Sequence, residues 1–221
     1  LPDTLSTPLH RALSVKRPAA SVGEAQFRAW LCRTYSHYLE MIDEAGNLWF
    51  KTTPTSKTLF AAHTDTCHRT EGPNPFTVKD GIVKAGAECL GADDGAGVAN
   101  LCHLMANNIP GTYLFTTQEE CGGIGASYIA DNFPDLLEQF DRSICFDRAG
   151  TEEIITVQGG QRCASKEFAE ALSVEFEKQG MLYAESTRGI YTDNKEFAGS
   201  LSENVTLGAG YDRQRACFRR L

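Results

Sequence analysis

No apolar run in the sequence approaches the ~18 residues that a bilayer-crossing helix requires, so no membrane span is expected. The first twenty residues, LPDTLSTPLHRALSVKRPAA, carry no apolar core and no small-residue cleavage pattern, so no secretory signal is expected. Positive charge is in short supply: Lys+Arg 21 against Asp+Glu 29 leaves a net charge of −8. Phosphate recognition needs clustered Lys and Arg, which argues against a nucleic-acid partner. None of the eight cysteines forms a CxxC pair. Scattered through apparent strands and helices, they fit reduced, mostly buried thiols in a cytoplasmic protein better than a disulfide framework. Repeats, low-complexity tracts and linker-like stretches are also absent. What remains is an ordinary globular mix, 42% hydrophobic and 23% charged over 221 residues, and a single domain spanning 1–221 is expected.

Ser21-x-x-Glu24 reads as a capping box before a helix carrying Phe27, Trp30, Leu31 and Tyr35 at helical spacing. Segments 37–42 and 48–52 around Asp43–Asn47, and 76–78 and 82–84 around Asp80-Gly81, read as two hairpins. Apolar runs at 58–66, 113–117, 143–146 and 154–157 read as strands. Helices are expected through Val98–Met105, through 127–140 with a restart at Pro134, and around Phe168–Phe176 up to Gly180. This alternation predicts an α/β fold, three layers α/β/α around a central mixed, mostly parallel sheet to which both hairpins add antiparallel strands.

In such sheets a ligand site lies beyond the carboxyl ends of the strands. Each expected strand end there carries an imidazole or acids: His63-Thr64-Asp65, then Asp93-Asp94 opening a helix, Glu119-Glu120, and Asp147. Carboxylates gathered on one edge repel one another unless a cation lies between them. Mixed nitrogen and oxygen donors suit zinc, with manganese or cobalt as alternatives. Cys67 and Cys121 stand beside these residues. Asp94, at the start of that helix, reads as a cap.

HTDT (63–66), LGADDGAG (90–97), TTQEECGGIGA (116–126), CFDRAG (145–150) and GIYTDNKEFA (189–198) together resemble the co-catalytic zinc exopeptidases, a group of aminopeptidases, carboxypeptidases and tripeptidases. The resemblance runs from about Phe27 to Gly210. It implies His63 as a metal ligand with Asp65 orienting its ring, Asp93 as a bridge between two ions, Glu120 and Asp147 as ligands, Glu119 as general base, Asp94 as a support for the ligands and Asp193 as a structural or supporting acid. The short spacing from Asp147 to Asp193 implies a body without an inserted lid or dimerisation domain.

One element of that pattern is missing. The family places a further histidine near the C-terminal end, but the five histidines here are His10, His37, His63, His68 and His103. In the segment Gly210-Tyr211-Asp212-Arg213-Gln214-Arg215, Arg215 stands where the imidazole belongs. A guanidinium cannot ligate a metal, though it can stabilise an oxyanion. Three outcomes are consistent with this: one metal with Arg215 as a catalytic cation, replacement of the ligand by Asp212 or His68, or a protein that binds metal without catalysis. The resemblance implies a zinc exopeptidase holding one or two ions and acting on short peptides, most plainly an aminopeptidase. An N-acyl amino acid amidohydrolase is the sibling reading, and a homo-oligomer is compatible with either.

Overall fold

The apolar runs become the centre of an eight-stranded mixed sheet in a computed structural model, which describes residues 6–86 and 88–212. The described chain opens with α1 (Thr7–Leu13) and the two-residue strand β1 (Val15–Lys16), neither of which the periodicity marks. α2 (Val22–Thr34) starts at Ser21, whose Oγ accepts the Glu24 amide at 3.1 Å, and ends at Tyr35. The Glu24 carboxylate accepts from the Ala20 amide at 2.7 Å, one residue before the partner a capping box prescribes. β2 (Leu39–Ile42) and β3 (Leu48–Lys51) form the first hairpin, followed by β4 (Thr58–His63). β5 (Gly72–Pro73) pairs back onto β1, and β6 (Phe76–Lys79) and β7 (Ile82–Ala85) form the second hairpin.

After α3 (Ala92–Ala106) come β8 (Thr112–Thr116), a 3-10 turn at Glu119–Cys121, α4 (Ile124–Asn132) and α5 (Pro134–Leu137). Pro134 takes the first-turn position of α5, where its missing N–H costs nothing. β9 (Arg142–Arg148), β10 (Glu153–Ile155), β11 (Val157–Gln158) and β12 (Gln161–Arg162) precede α6 (Lys166–Lys178). β13 (Ala184–Ser186), α7 (Asn194–Phe197) and β14 (Asn204–Gly208) complete the described chain.

The central sheet runs β13-β10-β14-β9-β4-β8-β3-β2. Its middle, β14-β9-β4-β8, is all parallel, and the first hairpin adds the antiparallel edge β3-β2. Contrary to the sequence expectation, the second hairpin pairs only with itself. Its strands alternate half-buried and exposed residues, so it has no second apolar face to bury inside a sheet.

Successive side chains on a strand point to opposite faces, and the core divides accordingly. Phe60, Ala62, Tyr113 and Phe115 face α2 and α3, meeting Phe27, Leu31, Val98, Leu101 and Met105. Leu59, Ala61, Leu114 and Cys145 face the other way, onto Ala126 and Ile129 of α4 and Phe197 of α7. Each fully buried side chain of this size stabilises the fold by about 1.5–3 kcal/mol. Helices therefore cover both faces, giving the three-layer α/β/α architecture. No disulfide joins the seven described cysteines, and no helix among the described residues is long and apolar enough to cross a membrane.

Candidate metal centre

β4, β8 and β9 run parallel and in register, with Ala61 opposite Cys145 and His63 opposite Thr116. That register brings His63, the turn after Thr116, and Asp147 to one edge of the sheet. Two residues beyond His63, Asp65 is fully buried with Oδ1 3.2 Å from His63 Nδ1. The same carboxylate accepts the Glu119 amide on Oδ1 and the Glu120 amide on Oδ2, each at 3.0 Å. One buried acid thus fixes both the imidazole and the turn that carries the two glutamates. Burial opposes its ionisation, yet His63 and the two amides hold the Asp65 carboxyl below its usual range.

The other ring nitrogen faces the acids. His63 Nε2 lies 3.1 Å from Asp93 Oδ1, 3.7 Å from Asp147 Oδ1 and 3.9 Å from Glu119 Oε2. Burial works against the imidazolium, but Asp147 foremost, then Asp65 and Asp93, carry His63 well above its ordinary value. Burial pushes Glu119 up to about 9, with Asp147, Asp193 and Asp93 adding repulsion. Burial and then Asp93 push Asp147 to about 7.

Donor atoms of His63, Asp94 and Asp147 all lie within 4.8 Å of one another. Geometry distinguishes Asp94 from its neighbour Asp93, to which it is joined by a cis peptide. Asp94 is fully buried; its Oδ1 accepts the Gly97 amide at 2.9 Å and its Oδ2 the His63 amide at 3.3 Å. It ties the start of α3 to the end of β4. Asp93 instead lines an open cavity of about 770 Å³ together with Glu119, Glu120 and Asp147. That cluster of three includes Asp94 and neither Asp93 nor Glu120 among the described residues, although Asp93 Oδ1 lies against His63 Nε2. One imidazole cannot neutralise this many acids, and nitrogen and oxygen donors at these separations fit a divalent cation.

Further side chains support the site, and for Arg17 and Tyr211 the sequence carries no local signal. Arg17 is the largest fully buried side chain: its Nε donates to the Thr64 carbonyl at 2.7 Å and its Nη1 to the Ala12 carbonyl. Burial lowers it to about 10, and the nearby Asp65, Asp94 and Glu24 offset part of that effect. Glu24, the capping-box acid, accepts hydrogen bonds from Thr64 Oγ1 at 2.8 Å and from Thr117 Oγ1. Tyr211 Oη donates to Asp147 Oδ1 at 3.2 Å. Asp193 accepts from Thr116 Oγ1, while its other oxygen is buried without a partner among the described residues; burial raises it to about 6.

His68 does not supply the replacement ligand. It is buried, with Nδ1 2.7 Å from Thr66 Oγ1 and Nε2 3.1 Å from the Cys89 carbonyl, so both nitrogens are occupied. Cys121 is exposed and Cys67 half-buried. Asp212 is exposed, and Arg215 lies outside the described residues.

The sequence matches no protein-family model and no curated protein. Solved structures do resemble it. Aminopeptidase PepT from Bacillus cereus superposes with a TM-score of 0.72 at 15% identity, covering 93% of this chain and 89% of that one. TET1 peptidase from Pyrococcus horikoshii, which can assemble into a tetrahedron or a large octahedral shell, gives 0.64 at 16% identity, covering 91% and 89%. A glutaminyl cyclase from an Acidobacteriales bacterium gives 0.63 at 14% identity, covering 90% and 75%. The fold implied by the motif resemblance is therefore the fold observed.

Proposed function

We propose that this chain is a metal-dependent exopeptidase of short peptides, acting as one catalytic domain. His63, Asp93 and Asp147 would hold a divalent cation, zinc by donor chemistry, and Glu120 would serve a second ion if another donor completes it. The described residues bring a single imidazole to the site, which favours one ion. A cation bound there supplies a water of lowered pKa and polarises the substrate carbonyl.

The chain's own residues do the rest. Asp65 keeps the His63 ring in one orientation and holds the turn on which Glu119 sits. Glu119 takes a proton from the attacking water as it adds to the carbonyl, then delivers it to the departing amine. Its placement carries the reading: Glu119 Oε2 is 3.9 Å from His63 Nε2, and the side chain lines the cavity beside Asp93 and Asp147. A protein that only binds metal has no use for such a base.

The test is hydrolysis of aminoacyl and N-acyl amino acid chromogenic substrates with metal analysis of the same samples. Wild type turns over the aminoacyl set. Glu119→Gln keeps its metal and loses about 10²–10⁴-fold in rate. Faster turnover of the N-acyl set would make the protein an amidohydrolase, and metal retained without turnover of any substrate would overturn catalysis altogether.

A further inference from the structure

Arg148 ends β9, directly after Asp147, and lines the same cavity as Asp93, Glu119 and Asp147. It is the one cationic side chain that does so among the described residues. Its Nε and Nη2 both reach Glu153 Oε2, at 2.9 and 2.8 Å. The other Glu153 oxygen accepts from Ser186 Oγ at 2.9 Å and from Arg188 Nη2 at 2.6 Å. Two guanidiniums thus share one carboxylate. Arg148 Nη1 makes no hydrogen bond or ion pair among the described residues, and the side chain is 25% exposed. Glu153 holds the arginine by one edge and leaves the other edge available.

The uncharged polar groups of the lining are engaged with one another. Thr192 Oγ1 donates to Gln158 Oε1 at 3.1 Å and lies 2.9 Å from Thr206 Oγ1, so these polar groups satisfy one another. Ile155 and Ile190 supply apolar surface. The cavity is therefore bipolar, with the acid-rich metal centre in one part and a fixed guanidinium in another. Because a peptide advances at most ~3.3–3.6 Å per residue, a carboxylate close to the scissile bond is the anion most easily shared between the two.

We infer that Arg148 binds the C-terminal carboxylate of the substrate, so that the preferred substrates are di- and tripeptides with a free carboxylate. This rests on the exopeptidase reading and names the substrate class within it. The interaction is a charge-assisted hydrogen bond from a pre-positioned donor, of the kind guanidiniums make with carboxylates.

The experiment uses zinc-loaded Glu119→Gln protein, which holds a peptide without cleaving it, and compares Leu-Gly-Gly with Leu-Gly-Gly amide by calorimetry. The free acid is expected to bind about 10–100-fold more tightly, the span of a charged hydrogen bond. Adding Arg148→Gln should erase that preference and leave the affinity for the amide unchanged, while Arg148→Lys should restore part of it. Equal binding of acid and amide to the parent overturns the inference, as does absence of binding by either. An equal loss for both peptides in Arg148→Gln would mean that the arginine only braces β9 against β10, and would also overturn it. Turnover by wild type, measured separately, tests the exopeptidase reading, so the two failures are told apart.

Discussion

Chelating the divalent cation should make the protein progressively less stable as pH rises, the reverse of ordinary acid denaturation. Asp147 rises from 3.8 to about 7 through burial and then Asp93, and Glu119 from 4.5 to about 9 through burial and then Asp147. An acid with a higher pKa folded than unfolded favours the fold fully below its unfolded value, and that advantage is lost as pH climbs through the folded value. His63, raised above 6.5, acts with the same sign, while Asp65, lowered from 3.8, matters only in more acidic solution. Each pH unit over which one carboxyl keeps its proton in the fold alone costs about 1.4 kcal/mol. From pH 5 to 7 one such group therefore removes about 3 kcal/mol, or about 6–12 °C in Tm for a chain of this size. Scanning calorimetry in EDTA at pH 5, 6, 7 and 8 measures this directly. Zinc takes the place of the protons, so its stabilising effect should be larger at pH 8 than at pH 6. A cation-free Tm that holds level or rises between pH 5 and 7, or zinc stabilisation equal at both pH values, would refute the reasoning.

Other substitutions probe single contacts. Arg17→Met should lower stability to urea by about 3–5 kcal/mol, because it strips a buried, hydrogen-bonded cation from beside Asp65 and Asp94; an unchanged midpoint would show that the guanidinium compensates nothing. Tyr211→Phe should weaken zinc binding about 10-fold by freeing the Asp147 carboxylate to rotate, with little change in cation-free Tm; competition with a chromogenic chelator reads the affinity. Ser21→Ala should cost about 1 kcal/mol through loss of the α2 cap, and thermal melts showing no change would remove that hydrogen bond from the account.

The parallel heart of the sheet was legible because β8 is buried on both faces and β4 and β9 are largely covered, which leaves the short apolar runs 59–62, 113–115 and 144–146. The residues at their carboxyl ends were legible for the same reason, since a strand that ends in His or Asp after an apolar run stands out. β14 and β13 were missed: NVTLG and AES are short, and AES is largely polar. α1 was missed because its seven residues span under two turns, too few for periodicity to show. The supports of the site were illegible in a different way. Nothing near Arg17 in the chain marks it as lying against Thr64, and nothing near Tyr211 points to Asp147. Such pairings arise from the topology alone, and a lone arginine or tyrosine in a sequence is usually a surface or core residue.

β14 fills the slot between β9 and β10, although α6 and α7 separate it from both along the chain. While the polypeptide is emerging from the ribosome, β9 must therefore wait for its partner. At a synthesis rate of ~5–20 residues per second the gap from residue 148 to residue 204 amounts to roughly 3–11 s. During that interval the nascent β9 offers an unpaired backbone edge, the feature that recruits chaperones or stray strands. Asp147 sits on that same strand, and its hydrogen bond from Tyr211 forms only once β14 has been made.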